Sequence, residues 1–291
     1  MPWDIARPAR PPALRGVDMA GFHVHGDGPE QVRVIPHPAV TVIVEFGECG
    51  FDVRDSTGRS HSGSLTLGLA RTALPVRVHA VECVQIRLEP IVAQAILGLP
   101  LTEPSGTIIG LDDLWGREAG WLRERLHETP NWPDRFALVD TALSARFRHD
   151  HRLDPEVAWA WRRIKLSRGR LRVEHLAAEL GWSRQRLWSR FGTRIGLTPK
   201  RAAKLVRFDH AVHRLVQGHP PSRVAAETGY ADQSHLHRDI REFTGTVPTS
   251  AATEPWLTID DRAWPSTMAT SPVRHSSHRP DSQERGERMP R

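Results

Sequence analysis

The sequence predicts an α+β chain: an N-terminal antiparallel β sandwich or barrel with a helical hairpin, then an all-α domain of two helix-turn-helix units joined by a long helix. Three observations carry that prediction. Apolar residues alternate with period two between about Gln31 and Leu88; the spacing changes to three and four after Pro90; and one helix-turn-helix pattern occurs twice further on.

The strands are short: "VRV" at 32–34, "TVIVEF" at 41–46, "FDV" at 51–53, "LTLGL" at 65–69, "VRV" at 76–78 and "VQIRL" at 84–88. Pro36, Pro38, Gly47, Gly50, "STG" at 56–58 and Pro75 punctuate them, as turn formers do. Val84, Ile86 and Leu88 fall on one face. Before them, residues 1–29 read as an irregular Pro/Arg-rich lead-in without the apolar core of a signal peptide. After Pro90, "IVAQAILG" is a short helix ended by Gly98 and Pro100. "LDDLWGREAGWLRERLHE" carries acids early and bases late, as a helix dipole favours. With "PDRFALVDTALSARF" it predicts an antiparallel helix pair that seals the barrel or dimerises, completing a β-rich domain over 30–150.

Asp154-Pro155 is an N-cap followed by proline at the first helical position, and it opens a helical domain over 154–256. Within it, "LAAELGWSRQRLWSRFGTRIGLTP" (176–199) matches "VAAETGYADQSHLHRDIREFTGTVP" (224–248). Each starts on apolar-Ala-Ala-Glu, passes Gly-aromatic and closes on Gly-x-x-Pro, with a period of 48 residues at the start and 49 at the end. A short helix, a glycine turn and a second helix at about 183–195 and 232–244 make two helix-turn-helix units. Leu187, Phe191 and Ile195 then face a core, as do Leu236, Ile240 and Phe243. Gln185, Trp188 and Ser189 project from one unit; Gln233, Ser234, His237 and Arg238 project from the other. Gln and Arg can pair bidentately with base edges, and Ser and His add single hydrogen bonds. A helix of about 20 residues from Pro199 spans roughly 30 Å and sets two reading helices at about the pitch of successive major-groove segments. Residues 257–291 read as a disordered, basic tail rich in Pro, Ser and Arg.

Charge points the same way. The formal net charge is +6. Residues 1–150 hold 15 Lys and Arg against 19 Asp and Glu, whereas residues 151–256 hold 19 against 10. An Arg-rich proteome accounts for many arginines but not for their segregation, so the second half is expected to meet a polyanion, most often nucleic acid, and the two helix-turn-helix units make double-stranded DNA the expected partner. No apolar run approaches the roughly 18 residues of a membrane span. Cys49 and Cys83 fit neither a metal-ligand spacing nor a disulfide framework, and a reducing, cytoplasmic setting is the expectation.

These stretches, above all "GYADQSHLHRDIREFTGTVP" with "GWSRQRLWSRFGTRIGLTP" and "RFDHAVHRLVQG", resemble the DNA-binding domain of AraC/XylS-type bacterial transcriptional regulators. The resemblance implies base-facing roles for Gln185, Trp188, Ser189, Gln233, Ser234, His237 and Arg238, and phosphate-side positions for Arg186 and His235. Two departures stand out: Ser189 occupies a place where the family often has arginine, and Ile240 one where phenylalanine is usual. Residues 30–148 resemble, by region only, the N-terminal half of one subgroup. That implies a cupin-like domain that binds a small-molecule effector or forms a homodimer, in a nucleoid-associated activator or repressor, with RNA polymerase as partner if it activates. The resemblance names no effector-binding residue, cofactor or catalytic residue. The rival reading is a metal-dependent cupin-type enzyme with a DNA-binding appendage, suggested by His23-Val24-His25 followed by Glu30. That segment is rich in Gly, Asp and Pro and is expected to be a loop, so no metal site is assigned.

Overall fold

The computed structural model describes residues 3–24, 30–47, 50–98, 107–147 and 154–264. Among them, two antiparallel sheets face each other. The first runs β1 (Trp3–Ala6), β2 (Val17–Val24), β9 (Val81–Leu88), β4 (Val40–Glu45), β7 (Leu65–Leu67) and β10 (Ile108–Gly110). The second runs β3 (Glu30–Val34), β8 (Leu74–Val78), β5 (Phe51–Arg54) and β6 (Ser60–Ser62).

Pairing registers such as Val17↔Leu88 between β2 and β9, and Val42↔Ile86 between β4 and β9, fix which side chains point where. The first sheet is covered on both sides, so β9 is buried almost throughout rather than alternating. Val84, Ile86 and Leu88 pack toward the helices, while Cys83 and Gln85 line a cavity between the sheets. Its other walls include Phe22, Val53, Val76 and Val78, and its volume is about 50 Å³.

The helices are α1 (Pro90–Leu97), α2 (Leu111–Trp115), α3 (Arg117–Glu128) and α4 (Trp132–Arg146), then α5 (Pro155–Leu166) to α12 (Pro255–Ala263). Between those last two lie α6 (Val173–Glu179), α7 (Arg184–Ile195), α8 (Pro199–Val216), α9 (Pro221–Thr228), α10 (Gln233–Thr244) and α11 (Pro248–Ala252). Helices α3 and α4 form the expected hairpin, and Leu122, Leu126, Val139 and Leu143 are buried with the first sheet's helix-facing side.

Four expectations are corrected. The lead-in over 1–29 is not wholly irregular, since it supplies β1 and the whole of an inner strand, β2. Buried on both faces, "VDMAGFHV" shows no period-two pattern to read. His23 and Val24 lie on that strand and not on a loop; His25 lies outside the described residues. The helix expected over 111–128 breaks at Gly116, whose φ of 57° and ψ of −136° serve as C-cap of α2 and N-cap of α3. Finally, the tail is not disordered from 257 onward. Helix α12 buries Leu257, Ile259, Asp260 and Ala263. Its apolar residues are too few to announce a helix, because the surface that orders them lies far away in sequence. Residues 265–291 of that tail lie outside the described residues.

The two halves meet through apolar packing, with Ile259 and Ala263 of α12 buried in the sandwich cluster, and through charged contacts. Arg87 of β9 pairs with Asp260 of α12, which also lies 3.4 Å from His213 Nε2 on α8. His213 Nδ1 is 3.3 Å from Asp261, and Asp209 is 3.8 Å away. Burial disfavours the imidazolium, but the hydrogen bond to Asp260 and the Asp209 carboxylate outweigh burial and the nearby Arg87, and push His213 up to about 9. His37, which hydrogen-bonds Thr41, is pushed down to about 3 by burial and by Arg87, against the opposing pull of Asp260. His213 therefore stabilises fully below its ordinary value of 6.5 and loses that contribution as pH rises through about 9. Neutral His37 has the opposite sign: its cost grows as pH falls from 6.5 toward about 3. Thermal unfolding of His213→Asn should accordingly show a flatter decline between pH 6.5 and 9 than the parent. Parallel curves would contradict this assignment.

Candidate nucleic-acid interface

The two units share one local plan. Ser183 caps α7 by accepting a hydrogen bond from the Arg186 N–H, and Asp232 caps α10 by accepting from the His235 N–H at 2.7 Å. The turns before these caps need glycine: Gly181 and Gly229 have φ of 63° and 82°. Both helices end on a left-handed glycine, Gly196 and Gly245. Leu187, Phe191 and Ile195 are fully buried, as are Leu236, Ile240 and Phe243, each side chain stabilising by about 1.5–3 kcal/mol.

Each helix is also pinned by charge. Arg190 of α7 lies 2.7 Å from Asp154, the N-cap of α5, and Phe191 packs against Trp161 of the same helix. In α10, buried Asp239 lies 3.1 Å from Lys204 and 3.4 Å from Arg207, both on α8. Phe243 stacks on Phe208 of α8 with centroids 4.4 Å apart. Helix α8, 18 residues long and about 27 Å in span, is the strut to which both units are fastened.

One open groove of about 1070 Å³ runs between the units, with Gln185 and Trp188 of α7 on one side and His235 and Arg238 of α10 on the other. Helices α7 and α10 thus face a common concave surface. Trp188 is 42% exposed, an unusual state for a large aromatic. Ser189, Gln233, Ser234 and His237 are exposed as well, and the Gln233 amide and the His237 ring are 3.2 Å apart. Arg186 is exposed but rests on the Trp182 ring, 4.6 Å from its centroid. His235 is half-buried, set edge-on to Tyr230 and 3.9 Å from Asp239. It is the one site residue of the nine that packs as much as it projects.

Sequence reasoning did not single out Arg170, Arg172, Arg184 and Lys200, which line the same groove. Since Lys204 and Arg207 are neutralised by Asp239 and Glu242, these four and Arg238, set against the Glu174 carboxylate alone, give the groove its excess positive charge. Arg170 reaches the groove from before α6, its stem lying against Gly229, a long-range placement that no local spacing announces. Elsewhere, no group of three or more His, Cys, Asp or Glu able to hold a metal exists among the described residues. Cys83 is a free, buried thiol, and Cys49 lies outside the described residues. No described helix is long and apolar enough to cross a membrane.

Residues 176–253 match the family model HTH_18, described as a helix-turn-helix domain. No curated protein matches the chain. Among solved structures, ToxT from Vibrio cholerae aligns over 82% of this chain and 98% of its own, at 12% identity and a TM-score of 0.48. The C-terminal domain of AraT, a response regulator from Geobacillus stearothermophilus, aligns over 35% of this chain and 86% of its own, at 23% identity and a TM-score of 0.33. The AraC-like transcriptional activator CuxR aligns over 80% and 90%, at 16% identity and a TM-score of 0.24.

Proposed function

We propose that the chain is a sequence-specific transcription regulator of AraC type whose C-terminal domain, matched over residues 176–253 by a helix-turn-helix family model, uses helices α7 and α10 to read successive major-groove segments of one duplex. The observation that carries this reading is the shared groove: two capped helices, fastened to one strut, present Gln185, Trp188, His235 and Arg238 toward a single basic concavity. Gln185, Trp188, Ser189, Gln233, Ser234, His237 and Arg238 contact bases in this reading. Arg186 and His235 sit toward phosphate, joined by Arg170, Arg172, Arg184 and Lys200.

Control enters through the β domain. The cavity between the sheets is nearly all apolar, with Thr41 and Gln85 as its polar groups, and suits a compact apolar effector. The α3–α4 hairpin carries Trp121, 56% exposed, as a surface for a second copy of the chain. A homodimer presents two such domains to DNA, and contact with RNA polymerase follows if the protein activates.

Selection of bound duplexes from a random pool by the full chain, at about 150 mM salt, tests the proposal. The expected product is a motif of two short blocks about one helical turn apart. Binding that enriches no sequence and falls steeply with salt would leave only the charge of the groove and refute the reading.

A further inference from the structure

Helix α12 follows the last helix-turn-helix unit in sequence yet belongs partly to the core of the β sandwich. It packs on β1 and β3, the edge strands of the two sheets at the same end, and so closes the slot between them. Ile259 and Ala263 are buried in the same apolar cluster as cavity-lining Phe22, Val32 and Val53. Trp264 joins that cluster and lies under the Arg87 guanidinium, 4.4 Å from its centroid. The other side of α12 rests on α8, where Asp260 and Asp261 engage His213, and Gln217 donates to Asp261 at 3.3 Å.

The strand under α12 also touches the reading helix. Arg33 of β3 donates to the Thr244 carbonyl at 3.1 Å, and the Ala73 N–H donates to the Phe243 carbonyl at 2.7 Å. Arg201 of α8 completes this seam by donating to the Arg71 carbonyl at 2.9 Å. The last carbonyls of α10 are thus held by the β domain, beside the edge that α12 covers.

We propose that α12 is a clasp: seated across the β1–β3 slot, it locks the second reading helix to the β domain, and its release frees that helix and opens the cavity. The cavity and the DNA-binding domain are thereby joined by one movable element, and an apolar molecule entering through the slot would compete with Ile259 and Ala263 for their seat. The consequence for DNA rests on the reading of α10 as a recognition helix, whereas the clasp itself does not.

Native-state hydrogen exchange of the full chain in increasing urea tests the clasp without DNA. The amides of α12 and of Ala73 should open together, in one unit less stable than β4 and β9. In Ala263→Asp, which puts a carboxylate into the apolar seat, both should lose protection by the same factor, on the order of 100-fold, with β4 and β9 unchanged. Ala73 keeping its protection while α12 exchanges would overturn the proposal. So would α12 opening only with the whole sandwich, which would make it a fixed part of that core. If Ala263→Asp unfolds the sandwich outright, the parent's urea series decides alone. If the clasp is found but duplex selection yields no motif, the fault lies with the reading of α10.

Discussion

Asp239→Ala is expected to destabilise the C-terminal domain by about 3 kcal/mol, a loss measurable as a lower urea midpoint for the full chain. Asp239 is 3% exposed and lies against both Lys204 and Arg207, so its removal leaves two cations of α8 without their carboxylate beneath α10. The cost lies at the lower end for a broken buried pair, because Lys204 and Arg207 keep 24% and 18% of their side-chain exposure and Lys204 retains Glu242. Function should suffer beyond stability: with α10 unpinned, DNA affinity falls even at temperatures where the variant remains folded. A stability within about 0.5 kcal/mol of the parent would show that apolar packing such as Phe243 on Phe208 holds the helix without the ion pairs.

Gln233→Ala and Arg238→Ala are expected to act on recognition instead of on the fold. Both residues are exposed, so stability should stay within about 0.5 kcal/mol of the parent. Each should cost about 1–3 kcal/mol at one base position, and the pair roughly the sum where the contacts are independent. The Gln233–His237 contact of 3.2 Å matters here: losing Gln233 frees the His237 ring to rotate, so the two positions are coupled. An equal loss on all sequences would instead assign these side chains to phosphate.

The helical half was legible because its signals are local. Ser183, Asp232, Gly181, Gly229, Gly196 and Gly245 mark caps and turns within a few residues of where they act. The expected helices at about 183–195 and 232–244 are Arg184–Ile195 and Gln233–Thr244. Strands β4, β5, β8 and β9 were legible for the same reason, each bounded by turn formers.

What escaped was set by distant partners. The strand "VDMAGFHV" lacks alternation because β1 and β9 flank it and both its faces are covered. "SHS" and "IIG" are three-residue strands with no period to detect, and exist only as neighbours of β5 and β7. Helix α12 takes its order from β1, β3 and α8. The groove shows the same division: Gln185, Trp188 and Arg238 follow from helical spacing, while Arg170 and Arg172 arrive from a segment before α6.

The most direct test of a two-unit reader is to repeat the duplex selection with two variants, Gln185→Ala/Trp188→Ala and Gln233→Ala/Arg238→Ala. Each is predicted to lose the sequence of one block while keeping the other, with the distance between blocks unchanged, because α8 still spaces the units. Loss of both blocks in either variant, or of the same block in both, would contradict the account.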